Sequence, residues 1–231
     1  MNDDKVIGII GGMGPEATAS LFTKIIKGTK VEKDQDHHRV VIDSNPKIPD
    51  RTAAILGRGE SPIPAIVAGG KNLEKIGANL LLLPCITSHY FIEEIQSHLS
   101  VPVINAIEEL YKYIVNNNPN VSKIGVLATS GTIKSGLFNK YLLNIEVLTP
   151  DDEAQEKQVM EAIYGKNGIK SGNTGKEPSQ LLQKTAENLI DSGADLIIAG
   201  CTEIGLALKQ EQISKPLIDP IDCIFYNGII K

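Results

Sequence analysis

The sequence predicts an α/β protein of two pseudo-symmetric halves, each a mainly parallel sheet flanked by helices, with the active site in the cleft between them. Three observations carry this expectation. The first is an internal repeat: Gly77–Thr87 (G-A-N-L-L-L-L-P-C-I-T) matches Gly193–Glu203 (G-A-D-L-I-I-A-G-C-T-E) at an offset of 116. Lys5–Gly12 matches Ser122–Thr129 at an offset of 117, and Val101–Asn105 matches Lys215–Asp219 at 114. Matches in the same order at nearly constant offset mark a duplicated unit rather than coincidence. The second observation is the alternation of short apolar runs with stretches of helical period, the pattern of βαβ units. The third is that runs such as Leu80–Leu83 are continuously apolar, as strands covered on both faces are.

Taken in order, Val6–Ile10 reads as a strand that enters the turn Gly11-Gly12-Met13-Gly14-Pro15, and Glu16–Lys30 as a helix. Pro15 suits a first helical turn, and the glycines leave backbone N–H groups open to a ligand. After a polar turn holding His37 and His38, Val40–Asp43 is a strand. Asn45–Thr52 (N-P-K-I-P-D-R-T) is a loop stiffened by two prolines. Pro64–Ile76 is a helix, Leu80–Leu83 a strand, Tyr90–Leu99 a helix, Val101–Ile104 a strand and Ala106–Val115 a helix. The polar run N-N-N-P-N then sets a boundary: 1–117 is the N-terminal half and 118–231 the C-terminal half, with the last helix a candidate to cross over to the first. In the second half, Lys123–Leu127 is a strand leading to A-T-S-G-T-I-K-S-G (Ala128–Gly136), followed by a helix around Lys134–Tyr141. Glu146–Leu148 is a strand, Glu153–Tyr164 a helix, and Gly165–Gly175 too rich in glycine for a regular element. Pro178–Asp191 is a helix, Leu196–Ala199 and Leu217–Ile218 are strands, and the tail is a helix.

Composition excludes several classes of function. A net charge of −5 with no basic stripe argues against nucleic acid, and no apolar run approaches the ~18 residues of a membrane span. The acidic start M-N-D-D-K, running directly into a strand, does not read as a secretory signal. Three cysteines without CxxC spacing are expected to be reduced thiols in a cytoplasmic protein, with no metal site among them.

Ligands of such sheets sit beyond the carboxyl ends of strands. Cys85 and Cys201 occupy matching ends, where the field of a following helix lowers a thiol pKa. Core burial is the commoner fate of one isolated cysteine; two at equivalent positions favour chemistry. Cys223 reads as structural. Thr87 and Thr202 serve either as turn caps or as partners of a substrate carboxylate or of the thiols. Thr129, Ser130 and Thr132 offer hydroxyls and N–H groups to a carboxylate or phosphate, though an ordinary N-cap accounts for one of them. Arg51, on a stiff I-P-D turn, is either an exposed arginine or a bidentate carboxylate clamp. Lys166 and Lys170 are either solvated or able to close over an anion. His89 either tunes Cys85 or caps the helix, and Glu203 orients Cys201 or acts as its base. Gly12–Ala17 also fits G-x-G-x-x-A, with Asp43 ending the next strand, but this dinucleotide pattern has many false positives and leaves the paired cysteines without a role.

Six segments together carry a resemblance: Gly11–Pro15, Asn45–Thr52, Pro84–His89 (P-C-I-T-S-H), Ala128–Gly136, Ile169–Gly172 (I-K-S-G) and Gly200–Ile204 (G-C-T-E-I). In this order the chain resembles the aspartate racemases of the aspartate/glutamate/hydantoin racemase superfamily. The resemblance implies cofactor-independent isomerase chemistry on a small amino acid bearing carboxylates, in a homodimer. It implies that Cys85 and Cys201 are the two acid/base thiols, and that Arg51 and Lys170 (better placed than Lys166) bind substrate carboxylates. Met13, Gly14, Thr87, Thr202 and the Thr129–Thr132 loop become further substrate contacts. Glutamate racemases carry a histidine where this chain has Glu203. One departure stands out: the family usually has asparagine after the first cysteine, and here Ile86 cannot hydrogen-bond. A racemase of glutamate or of a broader amino-acid range, a related isomerase or decarboxylase, and a non-catalytic amino-acid-binding protein therefore stand as alternatives.

Overall fold

The computed structural model describes residues 5–230. Its residues fall into two compact units, one running to Ala106 and resuming at Ile224, the other spanning Ile107–Cys223.

The first unit begins with β1 (Val6–Gly11), α1 (Pro15–Gly28), β2 (Arg39–Ser44), α2 (Arg51–Ile55), α3 (Ile63–Ile76), β3 (Leu80–Leu82) and α4 (Ile92–Ser97). Its sheet has the order β2-β1-β3 with both pairings parallel. The central strand is buried, Ile7 and Ile9 completely, which is why it reads as an unbroken apolar run. The chain end returns to this unit: Lys5 Nζ donates to the Ile229 carbonyl at 2.7 Å.

The second unit contains α5 (Ala106–Asn117), apart from its first residue, then β4 (Lys123–Leu127), α6 (Ser130–Lys134), α7 (Leu137–Tyr141), β5 (Glu146–Leu148), α8 (Asp152–Ala154), a π-helical segment at Gln155–Met160, and α9 (Glu161–Tyr164). There follow α10 (Lys176–Asp191), β6 (Leu196–Ala199), α11 (Ile204–Ala207), β7 (Leu217–Ile218) and α12 (Pro220–Tyr226), which runs across Cys223, the last residue of this unit. The sheet order is β5-β4-β6-β7, again parallel throughout.

The repeat is visible inside each unit. Asn79 Oδ1 accepts the Val6 N–H at 3.0 Å, and its counterpart Asp195 Oδ2 accepts the Lys123 N–H, also at 3.0 Å. Gly8 and Gly125 occupy equivalent points on the central strands. A Cβ at Gly8 would lie 2.6 Å from Leu81 and 3.2 Å from Leu73; at Gly125 it would lie 2.6 Å from Ile197 and 3.0 Å from Leu189. In both units the missing side chain lets a helix close directly onto the sheet.

Some elements differ from expectation. Val101–Ile104 is no strand but an isolated bridge, Leu81 to Val103. Pro102 has no N–H to extend a ladder, so only its carbonyl takes part, accepting from Leu81 at 2.8 Å. The segment expected as a helix at Tyr90–Leu99 starts earlier as a 3₁₀ turn, Ile86–Phe91, and becomes α-helical only in α4. The helix expected around Lys134–Tyr141 is split into α6 and α7 at Gly136, whose φ of 66° is left-handed.

Candidate active site

In the first unit, three segments meet at the carboxyl ends of the strands. The turn after β1 is possible only with glycine at position 12. Its φ is 93°, and a Cβ there would sit 2.3 Å from the Asn45 backbone. Thr18 Oγ1 accepts the Gly12 N–H and donates to the Gly14 carbonyl, each at 2.9 Å, which fixes the turn onto α1. Met13 is buried, and its sulfur accepts the Ser88 hydroxyl at 3.4 Å, linking this turn to the segment after Cys85.

Arg51 is not an exposed arginine. It is buried at the start of α2, behind the Asp50 cap, and donates to the carbonyls of Pro49 at 3.0 Å, Ile48 at 3.4 Å and Met13 at 3.5 Å. These bonds hold the proline-stiffened loop against the Met13–Gly14 turn.

Cys85 is buried just past β3. Ile86, Thr87, Ser88 and His89 behind it are buried as well. His89 Nδ1 lies 3.1 Å from the Cys85 carbonyl, which can only accept, so Nδ1 carries the proton. Burial lowers the His89 pKa from 6.5 to about 4 against the opposing pull of its backbone hydrogen bonds. The imidazole is therefore neutral near pH 7 and orients Cys85 through its carbonyl rather than through the sulfur. The helix field expected at this thiol is weak, because the 3₁₀ turn that follows aligns few peptide dipoles.

The corner around Cys201 is built differently. The Gly200 N–H donates to the Leu127 carbonyl at 2.7 Å, so Cys201 leaves the sheet beside the Ala128–Thr132 loop. Cys201 Sγ donates to Glu203 Oε2 at 2.9 Å, and Thr202 Oγ1 donates to the same oxygen at 3.1 Å. Lys170 Nζ meets the other oxygen, Oε1, at 2.5 Å. Burial pushes the Glu203 pKa up, but the Lys170 charge and the hydrogen bonds from Cys201 and Lys170 outweigh it, so the net shift is downward. Here too the helix field is slight, since α11 has only four residues.

Thr129 caps α6, with Oγ1 accepting the Thr132 N–H at 3.3 Å and lying 3.1 Å from the Thr132 hydroxyl. Ser130 is held by residues that sequence reasoning did not single out. Its N–H points at the Met160 sulfur (3.3 Å), and its hydroxyl donates to Glu156 (2.7 Å) and accepts from Gln155 (3.3 Å). All three lie on the π-helical segment, a wide turn that frequently accompanies functional sites. No local motif announces it; only a mixed helical pattern over Glu153–Tyr164 is legible.

Met13, Gly14 and Arg51 thus gather with the Cys85 segment, and Lys170, Thr202 and Glu203 with Cys201. Lys166 does not join them: it is exposed, and its carbonyl accepts the Ser171 hydroxyl at 3.0 Å. Among the described residues, no group of three His, Cys, Asp or Glu side chains is placed to hold a metal ion, and no helix is long and apolar enough to cross a membrane.

The family model for Asp/Glu/hydantoin racemases matches residues 10–225, which include both cysteine corners. The chain belongs to this family. It is an isomerase family by its description, and the relatives agree. A broad-specificity amino-acid racemase of Bacillus subtilis is 32% identical over 228 residues, covering 95% of this chain and 94% of the relative. Among solved structures, the aspartate racemase of Picrophilus torridus is 27% identical with a TM-score of 0.77, covering 97% of this chain and 94% of that one. An aspartate racemase homologue from Pyrococcus horikoshii is 26% identical with a TM-score of 0.75, covering 97% of each.

Proposed function

We propose that this racemase interconverts L- and D-aspartate without a cofactor, one thiolate taking the α-proton while the other thiol returns a proton to the opposite face. The observation that carries this reading is the pair of thiols at equivalent strand ends, each on a corner of buried polar groups. A two-base reaction needs an acid and a base of matched kind, and two cysteines from a duplicated unit supply them. The α-proton is very weakly acidic, so the developing charge must be met by fixed donors. Arg51, Lys170, the Met13–Gly14 turn and the start of α6 at Thr129–Thr132 are the groups we assign to the substrate's carboxylates.

A broader substrate range is the second reading. Ile86 is buried and has no side-chain hydrogen bond to give, and the Bacillus subtilis relative is a broad-specificity racemase. The deciding experiment is proton NMR of L-aspartate in D₂O with the reduced protein and no added cofactor. Loss of the α-proton signal with decay of optical rotation is the expected result. The same loss with neutral amino acids but not with aspartate would shift the assignment to the broad-range reading, and no exchange with any amino acid would sink both. We also carry forward the homodimer implied by the resemblance, which sedimentation equilibrium tests directly.

A further inference from the structure

Lys170, Glu203 and Cys201 form a chain in which one carboxylate faces two unlike proton donors. Oε1 holds the ammonium of Lys170, while Oε2 holds the thiol of Cys201 and the hydroxyl of Thr202. The members of this chain differ in access. The Glu203 side chain is 6% exposed, whereas that of Lys170 is 23% exposed. Lys170 stands on the short 3₁₀ turn Ile169–Ser171 between Gly168 and Gly172, with its ammonium 5.4 Å from the Tyr164 ring centre. An anion arriving from solvent therefore meets the ammonium before it meets the carboxylate.

We propose that Lys170 is a ligand-operated gate on Cys201: paired with Glu203 it keeps that carboxylate from taking the thiol proton, and an anion that draws the ammonium away frees Glu203 to act as the base. In the step, the Cys201 S–H bond breaks, an O–H bond forms at Glu203 Oε2, and the negative charge passes from carboxylate to sulfur. No other reactant is needed. The driving force is the hold of Lys170 on the carboxylate: its ammonium pairs directly with Oε1 and favours the negative charge on Glu203. Drawing it away removes that preference, while burial, shared by Glu203 and Cys201, favours neither site. The ordinary gap between a thiol and a glutamate is roughly four pH units, so the thiolate fraction rises without the transfer going to completion. The thiolate then forms when an anion is bound and is kept protonated otherwise, which protects it from adventitious oxidation.

The inference rests on the racemase reading only in taking a substrate carboxylate as the anion. Its test needs no turnover, so a failure of α-proton exchange and a failure of the gate are separate results. The thiolate of Cys201 is read at pH 7 as ultraviolet thiolate absorbance, against the matching Cys201→Ser protein as blank. Lys170→Met should raise the thiolate fraction about tenfold, the effect of removing one close charge from a buried acid. Lys170→Gln, a second neutral variant, should behave alike, and Lys170→Arg should stay at the wild-type level. Adding Glu203→Gln to Lys170→Met should abolish the rise. A thiolate fraction that falls or stays level in the neutral variants would overturn the proposal, because a cation that merely stabilised the thiolate would act in that direction. A rise that persists without the Glu203 carboxylate would overturn it equally.

Discussion

Cys85 and Cys201 stand at equivalent ends of β3 and β6, yet their surroundings have little in common. Behind Cys85 the groups are neutral: an apolar Ile86, buried hydroxyls, and an imidazole that burial keeps uncharged and that bonds to the Cys85 carbonyl. Behind Cys201 there is an ion pair whose carboxylate bonds the sulfur itself. The strand frame of the duplicated unit has survived, down to the Gly8/Gly125 contacts and the Asn79/Asp195 bonds. Divergence begins where the chain leaves the sheet. A strand end is fixed by its ladder, whereas the residues beyond it answer only to local packing and to the ligand. The difference teaches that the two thiols are not interchangeable: one has an ionised proton acceptor in contact with its sulfur, and the other stands beside a neutral imidazole that bonds its carbonyl.

The largest effect tests whether both corners are needed at all. Serine at either Cys85 or Cys201 should lower racemisation about 10³-fold, because an alkoxide is far harder to form than a thiolate. Polarimetry on each variant checks this, and a Cys201→Ser protein that racemised normally would end the two-thiol reading. Next comes a backbone contrast at equivalent positions of the repeat. Gly12→Ala places a Cβ against the Asn45 backbone at a positive φ, and should cost roughly 4 kcal/mol of stability in denaturant unfolding.

The third effect separates the corners by pH. The folded His89 pKa, about 4, lies below its unfolded value of 6.5, so the unfolded chain binds the proton more tightly. This contribution to stability is fully present above pH 6.5 and is lost as pH falls towards 4, in total about 3 kcal/mol. His89→Asn keeps a donor for the Cys85 carbonyl but cannot titrate, so its melting temperature should vary less over that window. Glu203 acts in a lower window: with its folded pKa below 4.5, its contribution is present above that value and is lost as pH falls through the folded pKa. If His89→Asn melted with the wild-type pH slope, the neutral-imidazole account of the Cys85 corner would be wrong. The smallest effect is Thr129→Ala, at the position matching Gly12. With φ at −65° the backbone is relaxed, and loss of the cap to Thr132 should cost about 1 kcal/mol in denaturant unfolding.

Much of the frame was readable in advance. β4, β5, β6 and β7 carry the residues expected of them; the two central strands, β4 and β6, are almost wholly buried and so read as short apolar runs, which have few other uses. The gathering of Lys170 with Glu203 and Cys201 was only half readable. G-C-T-E puts Glu203 near the thiol by sequence, but nothing local says that a lysine 33 residues earlier reaches its other oxygen. Arg51 shows the same limit. Its stiff loop suggested a clamp, while the carbonyls that engage it belong partly to Met13, 38 residues away.

By itself the sequence determined the duplication, the parallel strands, the placement of a thiol at each strand end and the segments that meet there. These follow from local rules, since hydrophobic period, glycine turns and prolines act within a few residues. Only the tertiary structure decided the ionic state around each thiol: which carboxylate meets which cation, which histidine is stripped of water, and which sulfur or carboxylate receives the Ser130 N–H and hydroxyl. Those outcomes depend on desolvation and on distances of about 3 Å between groups far apart in the chain, and neither is written in any single stretch of residues.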